Sequence, residues 1–188
     1  MEALLISFST VALAEIGDRT QLLVLLLATR FRRPWPIVAG VICAALLCEA
    51  VAAALGAWIG TRLRTGILDI AVGASMIIMG LWMLKPDSLG EQTDATDHRG
   101  IFLTTLGTFV LAELGDKTQI AALALAAAYR NLAAVIVGST LGLIVVNVPV
   151  IFLGKLFAER LPLRAIRYAS SALMIVLGAV FLVRALHR

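Results

Sequence analysis

Long apolar segments occupy almost all of this 188-residue chain and constrain its fold more than any other feature. A bilayer core of about 30 Å is crossed by roughly 20 apolar residues in a helix. Six segments have about that length, at 3–28, 36–60, 66–84, 101–128, 132–158 and 165–186. Because they are continuous and rich in Ala and Leu rather than alternating, we predict an all-α membrane protein with six transmembrane helices.

The balance of apolar and charged residues supports lipid as the solvent. The chain is 61% hydrophobic and 15% charged, with a mean hydropathy of +0.97. Soluble domains are about 45–50% apolar and about 25% charged. The net charge of +4 comes from basic residues near the segment ends and does not indicate nucleic-acid binding. Cys43 and Cys48 lie on different faces of one apolar segment, which favours a packing role over a metal or redox pair.

A sequence repeat divides the chain into two halves. Residues 14–21 read AEIGDRTQ and residues 112–119 read AELGDKTQ, so six of these eight positions are identical at an offset of 98. The same offset aligns the halves over nearly their whole length. We therefore predict three-helix repeats at 1–85 and 101–188, joined by an acidic cytoplasmic linker at 86–100.

An odd number of helices in each half predicts that the second half is inverted relative to the first. Inverted-topology repeats are a common plan of transporters, which bind their substrate near the bilayer midplane where the repeats meet. Nine Lys and Arg residues lie on the linker side of the segments and five on the other side. This bias predicts a cytoplasmic linker and both termini outside. No basic stretch precedes the first apolar segment, so we expect mature protein in a bacterial plasma (inner) membrane.

Charged residues lie near the middle of the first and fourth apolar segments, at matching positions. They are Glu15, Asp18 and Arg19, and Glu113, Asp116 and Lys117. A charge at the bilayer centre costs about 2.5–3.5 kcal/mol on insertion scales, so such residues must be paired or hydrated in a protein-lined cavity. They indicate an ion or substrate pathway. The structural alternative is that each acid only pairs with its basic neighbour in the chain or with the other half, which would lock the two halves together.

The spacing within each motif aligns its polar groups. Glu15, Asp18 and Gln21 follow one another at intervals of three residues, about 60° apart around a helix. Thr20 adds a hydroxyl group, and Gly17 would let the helix open and offer its carbonyls. The second half repeats the pattern with Glu113, Asp116, Gln119, Thr118 and Gly115.

Four carboxylates that meet between the halves would form a hard metal site. Carboxylate, amide and hydroxyl oxygens suit Mg²⁺, Ca²⁺ and Mn²⁺ better than they suit softer metals. Four acids and two bases give the cluster a formal charge of −2, which one divalent cation would balance. His98 and His187 lie outside the apolar segments.

Two further polar residues occupy matching positions, Glu49 in the second segment and Asn147 in the fifth. We predict that both face the central cavity and support the site. Hydrogen bonding between helices is the alternative role. Pro149, just beyond Asn147, would free a backbone carbonyl in its helix.

The two charged motifs resemble a family signature. EIGDRT at 15–20 and ELGDKT at 113–118 are similar to the doubled E-x-G-D-(K/R)-(T/S) motif of a family of small cation exchangers. That family includes the Golgi calcium/manganese–proton exchangers and their bacterial manganese-exporter relatives, and the resemblance covers essentially the whole chain. It implies export of manganese or calcium coupled to proton entry. The metal ligands that it implies are Glu15, Asp18, Glu113 and Asp116, with Thr20, Gln21, Thr118 and Gln119 nearby.

The expected function is therefore secondary transport: export of divalent cations, Mn²⁺ before Ca²⁺, in exchange for protons by alternating access. Arg19 and Lys117 would hold the empty site together. Arg19 stands where many members carry Lys, and a guanidinium could not release a proton during turnover. The expected partners are the cation, protons and lipid, with no cofactor, and a homodimer is compatible with the sequence.

Other functions remain open at this point. They are a divalent-cation channel, an exporter of small organic cations such as basic amino acids, and a purely structural membrane protein. An intramembrane aspartyl protease would carry G-x-G-D. Glu15 and Glu113 stand where that motif has its first glycine, so we expect no enzyme.

Overall fold

The computed structural model describes residues 1–62, 65–82, 84, 100–114, 116–129, 131–153 and 163–186. Most of the predicted linker lies outside these residues. All regular secondary structure in the described residues is helical. The helices are α1 (Glu2–Glu15), α2 (Arg19–Phe31), α3 (Pro34–Arg62), α4 (Thr65–Trp82), α5 (Ile101–Glu113), α6 (Lys117–Tyr129), α7 (Leu132–Leu153) and α8 (Leu163–Leu186).

Two of the six predicted apolar segments are not single helices. The segment predicted at 3–28 is divided between Glu15, where α1 ends, and Arg19, where α2 begins. Gly17 lies in the break with φ of 80°, a left-handed conformation that a Cβ would strain. The segment predicted at 101–128 is divided in the same way between α5 and α6. Both breaks fall within the charged motifs, so the apolar count alone did not reveal them.

Local sequence explains how α2 passes into α3. Arg32 follows the last residue of α2 in the left-handed conformation, with φ of 52°, and its backbone N–H donates to the carbonyl of Ala28. Such a residue ends a helix by satisfying one of its free carbonyls. Pro34 then begins α3, where the missing N–H of proline carries no penalty.

Two described helices are each long and apolar enough to cross a membrane: α3, with 29 residues and a mean hydropathy of 2.4, and α7, with 22 residues and 2.3. Roughly half of each apolar stretch is buried, at 56% and 50%. The other half presents large apolar side chains outward, including Leu47 and Val51 on α3 and Val145 on α7. An outer surface of this kind suits contact with lipid.

The helices pack so that α3 and α7 bring the two breaks together. Helix α1 packs along α7, and helices α5 and α6 pack along α3. Helix α4 packs against α8. Glycines permit close backbone approach at these contacts. A Cβ on Gly56 of α3 would lie 2.0 Å from the Leu123 carbonyl oxygen, and one on Gly138 of α7 would lie 2.5 Å from that of Leu4.

Candidate functional site

The ends of α1 and α5 bring three carboxylates into one buried cluster. One carboxylate oxygen each from Glu15, Glu113 and Asp116 lie within 4.8 Å of one another. All three residues are buried. Glu15 and Glu113 are the last residues of their helices, and Asp116 precedes the first residue of α6, so both breaks contribute to the cluster.

Each basic residue of one motif pairs with the aspartate of the other motif. Lys117 Nζ lies 2.6 Å from Asp18 Oδ1, and Arg19 Nη2 lies 3.3 Å from Asp116 Oδ1. The side chain of Asp18 is 1% exposed and that of Lys117 is 11% exposed, whereas that of Arg19 is 40% exposed. The fourth predicted carboxylate, Asp18, therefore lies against Lys117 and outside the group of three.

Threonine hydroxyls bridge the two acids within each motif. Thr20 Oγ1 donates to Glu15 Oε2 at 2.8 Å and lies 3.4 Å from Asp18 Oδ2. The second half repeats this arrangement: Thr118 Oγ1 donates to Glu113 Oε2 at 3.1 Å and lies 3.4 Å from Asp116 Oδ2. These contacts fix which carboxylate oxygens remain free.

The predicted glutamines differ in how the structure places them. Gln21 accepts from the Gly17 backbone N–H at 2.8 Å through Oε1, and its Nε2 lies 3.5 Å from the Val146 carbonyl oxygen. Gln21 therefore stabilises the break between α1 and α2 and also contacts α7. Gln119 lies half-buried at the corresponding place in α6. Gly115, predicted to open the second helix, lies outside the described residues.

The two matched polar residues of α3 and α7 have different environments. Asn147 Nδ2 donates to Glu15 Oε2 at 2.9 Å and to the Leu143 carbonyl at 3.1 Å. Glu49 is fully buried, and neither of its carboxylate oxygens meets a hydrogen-bond donor among the described residues. The structure thus brings Asn147 directly to the cluster and leaves Glu49 without a donor.

Several buried oxygens at the site lack a hydrogen-bond partner. In the described part of the chain they include Glu15 Oε1, Glu113 Oε1 and Asn147 Oδ1. Buried polar atoms are almost always satisfied, so a group of free acceptors needs an explanation. A bound cation would satisfy them, because carboxylate and amide oxygens are the ligands that hard divalent cations prefer.

A cavity of about 230 Å³ opens between the end of α2 and the end of α7. It is lined by Ala28, Arg32, Pro34, Ile151 and Phe152. Ile151 lies four residues beyond Asn147, or about 6 Å along a helix. The cavity lies at the end of the molecule at which α2 passes into α3.

The sequence did not predict the two crossed ion pairs, Lys117 with Asp18 and Arg19 with Asp116. Sequence reasoning considered an acid pairing with its basic neighbour in the chain or with the other half, without choosing between them. The charges of the two matched motifs were a signal, since each offers one base and a nearby aspartate. The Val146 carbonyl, which Gln21 reaches, carries no signal in the sequence.

A helical protein whose helices break at a buried, oxygen-rich acidic cluster has the features of the ion-transporting class of membrane proteins. Sequence comparison agrees with that class. The family described as "Divalent cation/proton antiporter GDT1" matches residues 3–91 and 101–188. The chain belongs to this family, so the resemblance seen in the two motifs is confirmed, and the protein is a transporter and not an enzyme.

Two relatives extend over most of the chain. A protein of Vibrio cholerae named "Putative manganese exporter" is 47% identical over 180 residues, covering 95% of this chain and 89% of the relative. A "GDT1-like protein" of Synechocystis sp. is 28% identical over 191 residues, covering 90% and 91%. No solved structure gives a significant match. Membership of a transporter family, together with two helices able to cross a bilayer, indicates an integral membrane protein.

Proposed function

We propose that the protein exports a divalent cation, Mn²⁺ before Ca²⁺, in exchange for protons by alternating access. The observation that carries this proposal is the buried cluster of Glu15, Glu113 and Asp116, drawn from both helix breaks and bordered by free oxygen acceptors. The name of the Vibrio cholerae relative supports manganese as the first cation to test. The donor set contains oxygen only, which suits Mn²⁺ and Ca²⁺ and disfavours soft metals.

In the proposed bound state the cation lies among the carboxylates of Glu15, Glu113 and Asp116, and the Asn147 amide oxygen completes one side. The Thr20 and Thr118 hydroxyls hold the glutamates in position. The cation competes with Arg19 for Asp116, and the more exposed Arg19 side chain has room to move toward solvent. Asp18 becomes a further ligand when Lys117 releases it.

Proton exchange follows from the proximity of the carboxylates. Three buried carboxylates whose oxygens lie within 4.8 Å repel one another strongly when all are ionised. Without a cation, the cluster therefore retains protons, and an arriving divalent cation displaces them. The cation leaves on the far side of the membrane and protons from that side reload the carboxylates.

Alternating access rests on the proposed architecture of six spans in two inverted repeats. The broken pairs α1–α2 and α5–α6 each form one span, and α3, α4, α7 and α8 are the others. The ends of the helices recur at the offset of 98: Glu15 with Glu113, Arg19 with Lys117, Phe31 with Tyr129, and Pro34 with Leu132. Interrupted helices at a repeat interface are typical of ion and substrate sites in transporters.

The proposed orientation has the linker in the cytoplasm and both termini outside, in a bacterial inner membrane. The cavity beside Arg32 then opens toward the cytoplasm.

Transport in liposomes tests the proposal. The purified protein is reconstituted with a manganese-quenched dye and a pH dye inside the vesicles. We expect Mn²⁺ movement with opposing proton flux, lost in Asp18→Asn and Asp116→Asn. Mn²⁺ flux without protons would identify a channel or uniporter. Absence of both Mn²⁺ and Ca²⁺ flux in the wild type would refute the proposed function and direct the test to organic cations.

A further inference from the structure

Glu49 is an acidic residue in the middle of the apolar helix α3 that the charged motifs do not include. It is 0% exposed, and neither Oε1 nor Oε2 has a hydrogen-bond partner among the described residues. The Ser139 hydroxyl of α7 lies near Glu49 but already donates to the Val135 carbonyl at 2.8 Å, so the Glu49 carboxyl group is buried without a hydrogen bond to the described residues. Such burial is unfavourable unless a bound group compensates it.

The matching residue in the other half indicates where Glu49 is directed. Asn147, 98 positions later, donates from α7 to the Glu15 carboxylate of the opposite half at 2.9 Å. By the same relation we expect Glu49 on α3 to be directed at Glu113, the last residue of α5, because α5 packs along α3. Glu113 Oε2 accepts from Thr118, and Glu113 Oε1 has no partner.

The two matching positions therefore differ in chemistry. At Asn147 an N–H donor meets the Glu15 carboxylate, which leaves one oxygen of each side chain, Asn147 Oδ1 and Glu15 Oε1, without a partner among the described residues. At Glu49 a carboxyl group takes the place of that donor, and three oxygens have no hydrogen-bond partner among the described residues: both of Glu49 and Oε1 of Glu113. Such a group of acceptors with no donor is suited to a divalent cation.

We propose that Glu49 and Glu113 form a second cation-binding position, which adjoins the Glu15–Glu113–Asp116 cluster and shares Glu113 with it. This inference rests on the proposed function. Glu49 is not among the carboxylates that lie within 4.8 Å of one another, so it does not complete the first position in this conformation. The shared Glu113 lets a cation pass between the two positions without losing all of its protein ligands.

The two positions are alternatives for one ion. Both positions use the one Glu113 carboxylate, and five carboxylates with two bases have a formal charge of −3, so a second divalent cation would turn the site net positive. On the α7 side, Asn147 already donates a hydrogen bond to Glu15. We therefore place the second cation position on the α3 side only, beside Glu49.

The test compares Mn²⁺ binding to purified protein and Mn²⁺ uptake by liposomes for the wild type and Glu49→Gln. Glutamine keeps the shape of the side chain and removes its charge. We expect one Mn²⁺ per chain in both proteins, with the half-saturating Mn²⁺ concentration raised on the order of tenfold in Glu49→Gln, as for the loss of one charged ligand. Thr140→Val removes a buried hydroxyl from α7 and is the control, with half-saturation unchanged.

Two results would overturn the inference and leave the proposed function intact. One is wild-type transport with unchanged half-saturation in Glu49→Gln, which would make Glu49 a protonated structural residue. The other is anomalous density for Mn²⁺ at the first cluster alone in soaked crystals of both the wild type and Glu15→Gln, since weakening the first position should favour the one at Glu49 and Glu113. If Glu49→Gln does not fold, Glu49→Asp replaces it, because moving the carboxylate by one methylene should also weaken Mn²⁺ binding. A wild type that moves no cation would refute the proposed function itself.

Discussion

Replacing Gly56 by alanine tests whether α3 and α6 are in backbone contact. The added Cβ would lie 2.0 Å from the Leu123 carbonyl oxygen, with the Leu123 carbonyl carbon and Cα at 2.7 and 2.8 Å. These are backbone atoms, so no side-chain rotation can relieve the overlap. Ordinary contact begins near 3.4 Å, so the two helices must separate by about 1.4 Å at this point. Overpacking in a core costs about 1–3 kcal/mol, and we expect the upper end here.

Gly107→Ala is the matched control, because a Cβ at Gly107 in α5 would have nothing within 4 Å. Both substitutions gain about 1 kcal/mol of helix propensity, so the difference between them isolates the steric cost. About 3 kcal/mol corresponds to roughly 6–12 °C for a chain of this length. Thermal unfolding of the purified proteins in detergent measures it.

The same reasoning ranks a series of glycines. Gly138→Ala and Gly60→Ala, with a Cβ at 2.5 and 2.8 Å from the opposing carbonyl oxygen, should fall between Gly56→Ala and Gly107→Ala in that order. The reasoning would be refuted if Gly56→Ala unfolded within about 2 °C of Gly107→Ala.

The remaining predictions concern the charged motifs. Lys117→Met should lower the free energy of unfolding by about 3–5 kcal/mol, because it leaves the buried Asp18 carboxylate without its partner. Arg19→Met should cost about 1 kcal/mol or less, since Arg19 is 40% exposed, and equal losses in the two variants would contradict this reasoning. Thr20→Val should raise the half-saturating Mn²⁺ concentration several-fold, because it removes one of the two donors that hold Glu15 Oε2 and leaves only Asn147; Thr20→Ser, which keeps the hydroxyl, should not.

Much of the helical architecture could be predicted because it depends on local signals. The apolar segments and the positions of the two charged motifs follow from residue type and spacing. The helix breaks were harder to predict, because apolar residues continue on both sides of each motif. What decides the first break is the left-handed backbone at Gly17, held by a hydrogen bond to Gln21. Neither feature appears in a count of apolar residues.

The partners within the site depend on the tertiary fold. Asp18 and Arg19 are neighbours in sequence, but Asp18 precedes α2 in an extended conformation while Arg19 is the first residue of that helix. Their side chains therefore diverge, and each finds its partner in the other half of the chain. The same holds for Glu49 and Asn147: the sequence matched their positions, but only the packing of the helices shows that Asn147 donates to Glu15 while Glu49 makes no hydrogen bond to the described residues.

The crossed ion pairs connect cation binding to the contact between the halves. Because Arg19 belongs to the first half and Asp116 to the second, a cation that takes Asp116 removes a bond that holds the halves together. The second pair, Lys117 with Asp18, is shorter and far more buried, so it should persist after the first has broken. On the proposed function, this difference in burial between the two ion pairs determines the order in which they break. The cation first replaces the more exposed Arg19 at Asp116, and the Lys117–Asp18 pair keeps the two repeats in contact while the rest of the site rearranges.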